Sequence, residues 1–308
     1  MMRFLCASLA VAALYAQQTG TVFRSDTRLV VLNTTVEDRD GRLVTDLSKE
    51  AFAVYENGAR QQIKIFHHED VPVSLGLVID SSASMRDKRA KVEAASLALV
   101  EASNREDEVF VVNFNDEAYL DLPHGEAFTN DRRELKEALG HFDARGGTAM
   151  RDAIDKSLDH LKLAHRDKKV LVVVTDGDDN WSTISQENLV RKAQQSGVLI
   201  YSVGLLTAET HASAARARRS LVELAEATGG RSFFPKDASE VDRIAHQVAR
   251  DIRSQYAISY TPSNDTMDGT YRRIKVSVNA PGHPTAHTRS GYYATPDRAS
   301  GATPVASR

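Results

Sequence analysis

Asp80, Ser82 and Ser84 follow directly on the apolar run Leu75–Ile79, in the stretch LGLVIDSSASMRDK. Two further segments carry matching chemistry. Gly146-Gly147-Thr148 precedes a helical stretch, and Thr175-Asp176-Gly177-Asp178 ends a run of valines. In open α/β sheets, ligands gather at the carboxyl ends of strands, where loops and helix N-termini converge. Three distant segments therefore bring hydroxyls and carboxylates to one sheet edge. A hard divalent cation suits that set, because Mg²⁺ takes octahedral oxygen ligands at about 2.1 Å and keeps several waters. If Ser82, Ser84 and Thr148 ligate directly while Asp80 and Asp176 act mainly through water, the ion stays under-neutralised. It then favours one more acidic oxygen from a partner. Mn²⁺ or Ca²⁺ are alternatives to Mg²⁺, and zinc fits less well because the set has no histidine or thiolate. A plainer reading makes Asp80, Ser82 and Ser84 a strand end with a helix N-cap, Thr148 a loop or cap residue and Asp176 a turn former. Asp178 and Asp179 read as solvated loop acids. Asn180 and Trp181 stand beside the set, where an aromatic on a rim can anchor a partner or cover the sheet edge.

The elements that must hold these residues alternate. Strand-like runs at 73–79, 109–114, 170–175 and 198–203 are separated by helical stretches at 89–102, 152–163 and 187–196. Val170–Val174 and Val198–Ile200 are continuously apolar, the pattern of parallel strands covered by helices on both faces. Val241, Ile244, Ala245, Val248, Ala249 and Ile252 form one helical stripe, so a final helix packs against that sheet. Gly229-Gly230 ends the helix before it.

On either side lie β-rich segments of a different kind. Phe52–Tyr55 runs into the turn Glu56-Asn57-Gly58, with Gln62–Phe66 returning in alternation. Tyr256–Tyr260, a polar loop and Tyr271–Val278 form a second antiparallel piece. Neither has enough strands to bury a face, so the two should pack together as one small antiparallel β side module. The expected organisation is a signal peptide at 1–16, module segments at 25–70 and 256–294, the α/β domain at 71–255 and a disordered tail at 295–308. Met1-Met2-Arg3, the apolar run Phe4–Tyr15 and Ala16 have the form of a secretory signal, which predicts export to the periplasm or beyond. Cys6, the single cysteine, lies inside it.

The chain has 308 residues, 42% hydrophobic and 26% charged, with a formal net charge of -3. That composition supports a large core and offers no basic nucleic-acid surface. No apolar stretch is long enough to span a bilayer. The ten histidines are scattered and read as surface or packing residues.

The cation set resembles the metal-ion-dependent adhesion site of von Willebrand factor type A domains. Asp80-Ser81-Ser82-Ala83-Ser84 matches that family's D-x-S-x-S run, Thr148 its single-threonine loop and Asp176 the aspartate of its T-D-G strand end. Ala83 stands where the family frequently has glycine, a departure that touches no ligand atom. The resemblance covers about 71–255 and implies a Rossmann-like α/β fold with a mostly parallel central sheet. The segments Val36–Gly41, Phe52–Gly58, Gln255–Pro262 and Ser290–Tyr293 resemble those of a bacterial subgroup abundant in Acidobacteria.

Two further function classes compete with the expected one, a non-catalytic, cation-dependent adhesion or assembly module that engages a partner's Asp or Glu. A metal-dependent hydrolase could use the same carboxylates. Against it, Ser82 lacks a G-x-S-x-G elbow, the chain has no P-loop, and no histidine or lysine is read beside the motif as a base. A structural or assembly protein could instead bind through its β side module and carry a vestigial metal site.

Overall fold

The continuous apolar runs become the middle of a sheet and the alternating runs become a sandwich beside it. The computed structural model describes residues 29–68, 70–141 and 146–295. The expected signal segment with Cys6, and all but the first residue of the expected tail, lie outside the described residues. In chain order the elements begin with β1 (Val30–Glu37), β2 (Phe52–Glu56), β3 (Ala59–Gln61), β4 (Ile63–His67) and β5 (Val73–Asp80). Then come α1 (Arg89–Glu101), β6 (Glu108–Phe114), β7 (Ala118–Leu120), α2 (Arg132–Gly140), α3 (Met150–His160) and β8 (Lys168–Thr175). The rest are α4 (Gln186–Ser196), β9 (Leu199–Gly204), α5 (His211–Thr228), β10 (Ser232–Phe233), α6 (Val241–Arg253) and β11 (Tyr256–Tyr260). The last three are β12 (Tyr271–Val278), β13 (Thr285–His287) and β14 (Gly291–Tyr293).

The six-stranded sheet runs β10-β9-β8-β5-β6-β7, parallel throughout except for the β7 edge. This is the expected Rossmann-like architecture. Every residue of β5 is buried between β6 and β8, which is why Leu75–Ile79 shows no polar alternation. The α6 stripe expected from its spacing is buried along its whole length in the same core. Gly229 closes α5 at φ +88°, where a side chain would be strained and a methyl would also meet the Thr288–Arg289 backbone. The three-residue strands β3, β7, β13 and β14 lie outside the sequence-based expectation because such short pieces carry little periodic signal. Helix α2 lies outside it too, although Leu135, Ala138 and Leu139 mark its buried stripe.

The flanking segments form two antiparallel four-stranded sheets, β13-β1-β11-β4 and β14-β12-β2-β3. One apolar core is shared between them, with Leu32, Tyr256, Ile258 and Tyr260 from the first and Val54, Ile274 and Tyr292 from the second. Two expected pairings are corrected. The partner of β2 across the Asn57-Gly58 turn is β3, whereas β4 crosses to the other sheet and pairs with β11. Likewise β11 and β12 lie in different sheets. A sandwich needs two inner faces, so each arm of an apparent hairpin supplies one of them.

A buried ionic knot ties the sandwich to the α/β domain. Arg231 Nη1 lies 2.5 Å from Glu37 Oε1 on β1 and 2.7 Å from Asp251 Oδ2 on α6. Nearby, Gln255 Nε2 donates to Thr35 Oγ1 and to the Tyr201 hydroxyl, both at 3.2 Å. Burial pushes the Asp251 carboxyl up to about 6 and raises Glu37 as well, against the opposing pull of Arg231. Free carboxyls titrate near pH 4. The folded protein therefore holds more protons between about pH 4 and pH 6, and this knot's contribution to stability falls as pH rises through that window. Urea unfolding at pH 5 and pH 7 should show Asp251→Asn to be less pH-sensitive than wild type. Arg231→Met strands two buried carboxylates and should cost about 3–5 kcal/mol at pH 7.

Candidate functional site

Strand β5 delivers Asp80 to the C-terminal edge of the sheet with its carboxylate 1% exposed. The backbone N–H of Ser82 donates to its Oδ1 at 2.8 Å, and the buried Thr175 hydroxyl on the adjacent strand β8 donates to Oδ2 at 2.6 Å. Burial nevertheless pushes the Asp80 carboxyl up to about 6; these hydrogen bonds oppose the shift and the nearby charge of Asp176 adds to it. Ser82 is buried, and a tight turn at Ala83–Met85 folds the chain back so that Ser84 faces it. The two hydroxyl oxygens lie 3.1 Å apart, and Ser84 Oγ donates to Asp176 Oδ1 at 2.7 Å. Asp80, Ser82, Ser84 and Asp176 are thus joined through hydrogen bonds across two neighbouring strand ends.

Thr148 arrives from the loop before α3. Its N–H donates to Asn180 Oδ1 at 3.0 Å, and its carbonyl accepts from the N–H groups of Asn180 and Trp181 at 3.1 and 3.3 Å. A methyl on Gly177 would stand 3.6 Å from Thr148 Oγ1 and 3.4 Å from Glu209 Oε1. The hydroxyl therefore lies against the Asp176 loop. Asn180 is exposed and braces the Thr148 loop, while Trp181 is 60% exposed at the rim.

Asp116 and Lys88, which the expected set leaves out, and Asp179, expected as a solvated acid, complete the site. Asp116 lies in the loop after β6 and accepts from the Gly147 N–H at 2.5 Å. A methyl on Gly146 would fall 2.2 Å from its Oδ2, so the Gly-Gly pair exists to let this carboxylate approach. The strand-end rule applied to Asn113–Asp116 could have found it. Asp179 is not a solvated acid: its side chain is 5% exposed. It accepts from the Arg151 N–H at 2.7 Å at the start of α3 and from Ser182 Oγ at 2.8 Å. The third is Lys88. The sequence reading puts no lysine beside the motif, yet Lys88 Nζ lies 2.5 Å from Asp176 Oδ2. The turn at Ala83–Met85 reverses the chain and brings the start of α1 back over the sheet edge.

For an octahedral ion with bonds of about 2.1 Å, neighbouring ligand oxygens sit about 3.0 Å apart. The Ser82–Ser84 spacing of 3.1 Å matches that edge. Among the described residues no three or more His, Cys, Asp or Glu converge as a metal cluster. A cation here would rely on hydroxyl oxygens, with two carboxylates adding charge.

The von Willebrand factor type A domain family model matches residues 75–247. An uncharacterized protein of Borreliella burgdorferi is 26% identical over 196 residues, 58% of this chain and 52% of that protein. The matched stretch thus spans about half the length of that curated relative. Among solved structures, a von Willebrand factor type A protein from Catenulispora acidiphila superposes with TM-score 0.53 at 14% identity, covering 89% of this chain and 75% of that one. Proximal thread matrix protein 1 from the mussel byssus gives TM-score 0.50 at 17% identity, covering 64% of this chain and 50% of that one. Both likenesses are to the fold.

Thr175→Val removes the hydroxyl that satisfies Asp80 Oδ2 and should cost about 1–3 kcal/mol by urea unfolding in metal-free buffer. The buried Ser81 hydroxyl has no hydrogen-bond partner among the described residues, so Ser81→Ala removes an uncompensated desolvation cost and should stabilise the fold by about 1 kcal/mol.

Proposed function

The chain belongs to the von Willebrand factor type A domain family, and on that premise we propose that it is a non-catalytic protein-binding module acting outside the cytoplasm. The binding face is the C-terminal edge of the central sheet. Ser82, Ser84 and Thr148 would supply direct oxygen ligands to a divalent cation, Mg²⁺ first with Mn²⁺ or Ca²⁺ as alternatives. Asp80 and Asp176 would supply charge, and an Asp or Glu of the partner would complete the coordination. Asn180 braces the Thr148 loop, and the exposed Trp181 offers the partner an apolar anchor. The observation that carries this reading is the hydrogen-bonded set Asp80–Ser82–Ser84–Asp176, with its 3.1 Å hydroxyl edge. A cation held by neutral oxygens keeps enough charge to attract a carboxylate, which a site rich in anionic ligands would not.

The reading takes 71–255 as the binding domain and 25–70 with 256–294 as its side module. A cleaved signal at 1–16 would direct export, and 295–308 would trail as a disordered tail. Among the described residues no helix is long and apolar enough to cross a membrane. On the flanking segments quoted above, the reading extends to the Acidobacteria-type subgroup.

A second reading rests on a different surface. The outer face of the β14-β12-β2-β3 sheet holds a groove of about 710 Å³ lined by Tyr55, Tyr271, Arg273 and Lys275. Neither cation has an ion-pair partner among the described residues. An assembly protein could bind an acidic segment there and leave the strand-end site vestigial.

Calorimetric titration of Mg²⁺ and Mn²⁺ should give binding to wild type and none to Asp80→Ala. Equal or absent heats in both would remove the metal from the proposal. Partner capture from periplasmic extract should then fail with chelator and with Asp80→Ala. If capture survives both but is lost in the double variant Arg273→Glu, Lys275→Glu, the sandwich face carries the binding.

A further inference from the structure

The strand-end carboxylates already have a cation of the protein's own. Asp176 is 1% exposed, and its two oxygens are divided between neighbours. Oδ1 accepts from Ser84 Oγ at 2.7 Å, and Oδ2 meets the Lys88 ammonium at 2.5 Å. The Lys88 side chain is 17% exposed, so it is mostly covered but not sealed from solvent. We propose that Lys88 is a tethered counter-cation that seats on Asp176 when no divalent ion is bound and must withdraw for one to bind, so that it sets the metal affinity of the site. This rests on the metal reading above and adds the residue that opposes it.

The physical reasons are charge and reach. A divalent ion touching Ser82 Oγ and Ser84 Oγ comes within one water's reach of Asp176, because Ser84 Oγ itself touches that carboxylate. The ammonium sits on the other oxygen of the same carboxylate, and two like charges drawn to one carboxylate repel each other. Lysine suits a removable counter-ion. Its ammonium is a compact, strongly hydrated point charge on a flexible stem, whereas arginine's planar fork would lock onto the carboxylate. Without the ammonium, the neighbouring carboxylates Asp80 and Asp176 would keep only hydroxyls and the Ser82 N–H to compensate them. Lys88 thus keeps the site ordered without metal, at the expense of affinity. The domain can stay folded when the ion is lost, and occupancy becomes responsive to ion concentration.

The test uses the full chain as wild type, Lys88→Met, Lys88→Gln and Lys88→Arg in metal-free buffer, titrated with Mn²⁺ by calorimetry. Thermal unfolding is followed with and without saturating Mn²⁺, and circular dichroism checks the fold. Lys88→Met should bind Mn²⁺ about tenfold or more tightly than wild type, the size expected when one close like charge is removed. Its metal-free Tm should fall and its rise on adding Mn²⁺ should exceed that of wild type. Lys88→Gln keeps a hydrogen-bond donor without charge and should also bind more tightly; it decides the matter if Lys88→Met does not fold. Lys88→Arg should bind no better than wild type. Folded neutral variants that bind Mn²⁺ only as well as wild type would overturn the role of Lys88 and leave the metal site standing. Absence of Mn²⁺ binding in every variant would overturn both.

Discussion

A carboxylate buried at the end of the central strand governs the chemistry of this protein. β5 is enclosed on every side, so Asp80 arrives at the sheet edge already stripped of water. An ionised group in that position must find partners or neutralise. Its nearest sources are the N–H of Ser82 in its own turn and the Thr175 hydroxyl of the next strand. Both are local consequences of strand register, since Thr175 ends the strand that lies beside β5. These partners compensate Asp80 only in part, so burial and the neighbouring Asp176 still raise its pKa.

The loops around this carboxylate are heavily braced. The Thr148 loop is pinned from one side by Asp116 and from the other by Asn180, while Asp179 holds the first turn of α3. Each brace uses a short polar side chain on a backbone N–H, a contact that fixes a loop without filling the space a ligand would need. The Ser82 and Ser84 hydroxyls, 3.1 Å apart, have the spacing of one edge of an octahedral oxygen shell. The one long flexible side chain seated on the site, Lys88, brings the opposite tendency. On the proposed reading, attraction for a cation and occupation by the Lys88 ammonium compete within the same few ångströms.

The sandwich matters to this edge indirectly. It is fastened to the α/β domain through Arg231, Glu37 and Asp251 and through Gln194, whose side chain donates to the Tyr271 hydroxyl at 3.0 Å. A buried ionic knot of this kind adds little net stability but is costly to break, so it favours one relative placement of the two layers. The sandwich also carries a groove on the outer face of its β14-β12-β2-β3 sheet, a surface distinct from the strand-end site.

The linear order of residues was enough to identify the parallel sheet and most of its helices. Continuous apolar strands and 3.6-residue stripes are written locally and survive any tertiary context. It also pointed to Asp80 and Asp176, because strand ends can be read from where apolar runs stop, and the fold brings Ser84 onto Asp176 at that edge. Pairing in the sandwich was not legible: strands that look like hairpin arms had to separate so that both inner faces were covered. Nor were the burial of Asp179 or the Lys88–Asp176 pair, whereas Asp116 follows the end of β6 and was open to the same strand-end reading. A charged residue in a loop reads the same whether it ends in solvent or beside a carboxylate 88 positions away. Only packing decides which of those environments it meets, because desolvation depends on what the rest of the chain places around it.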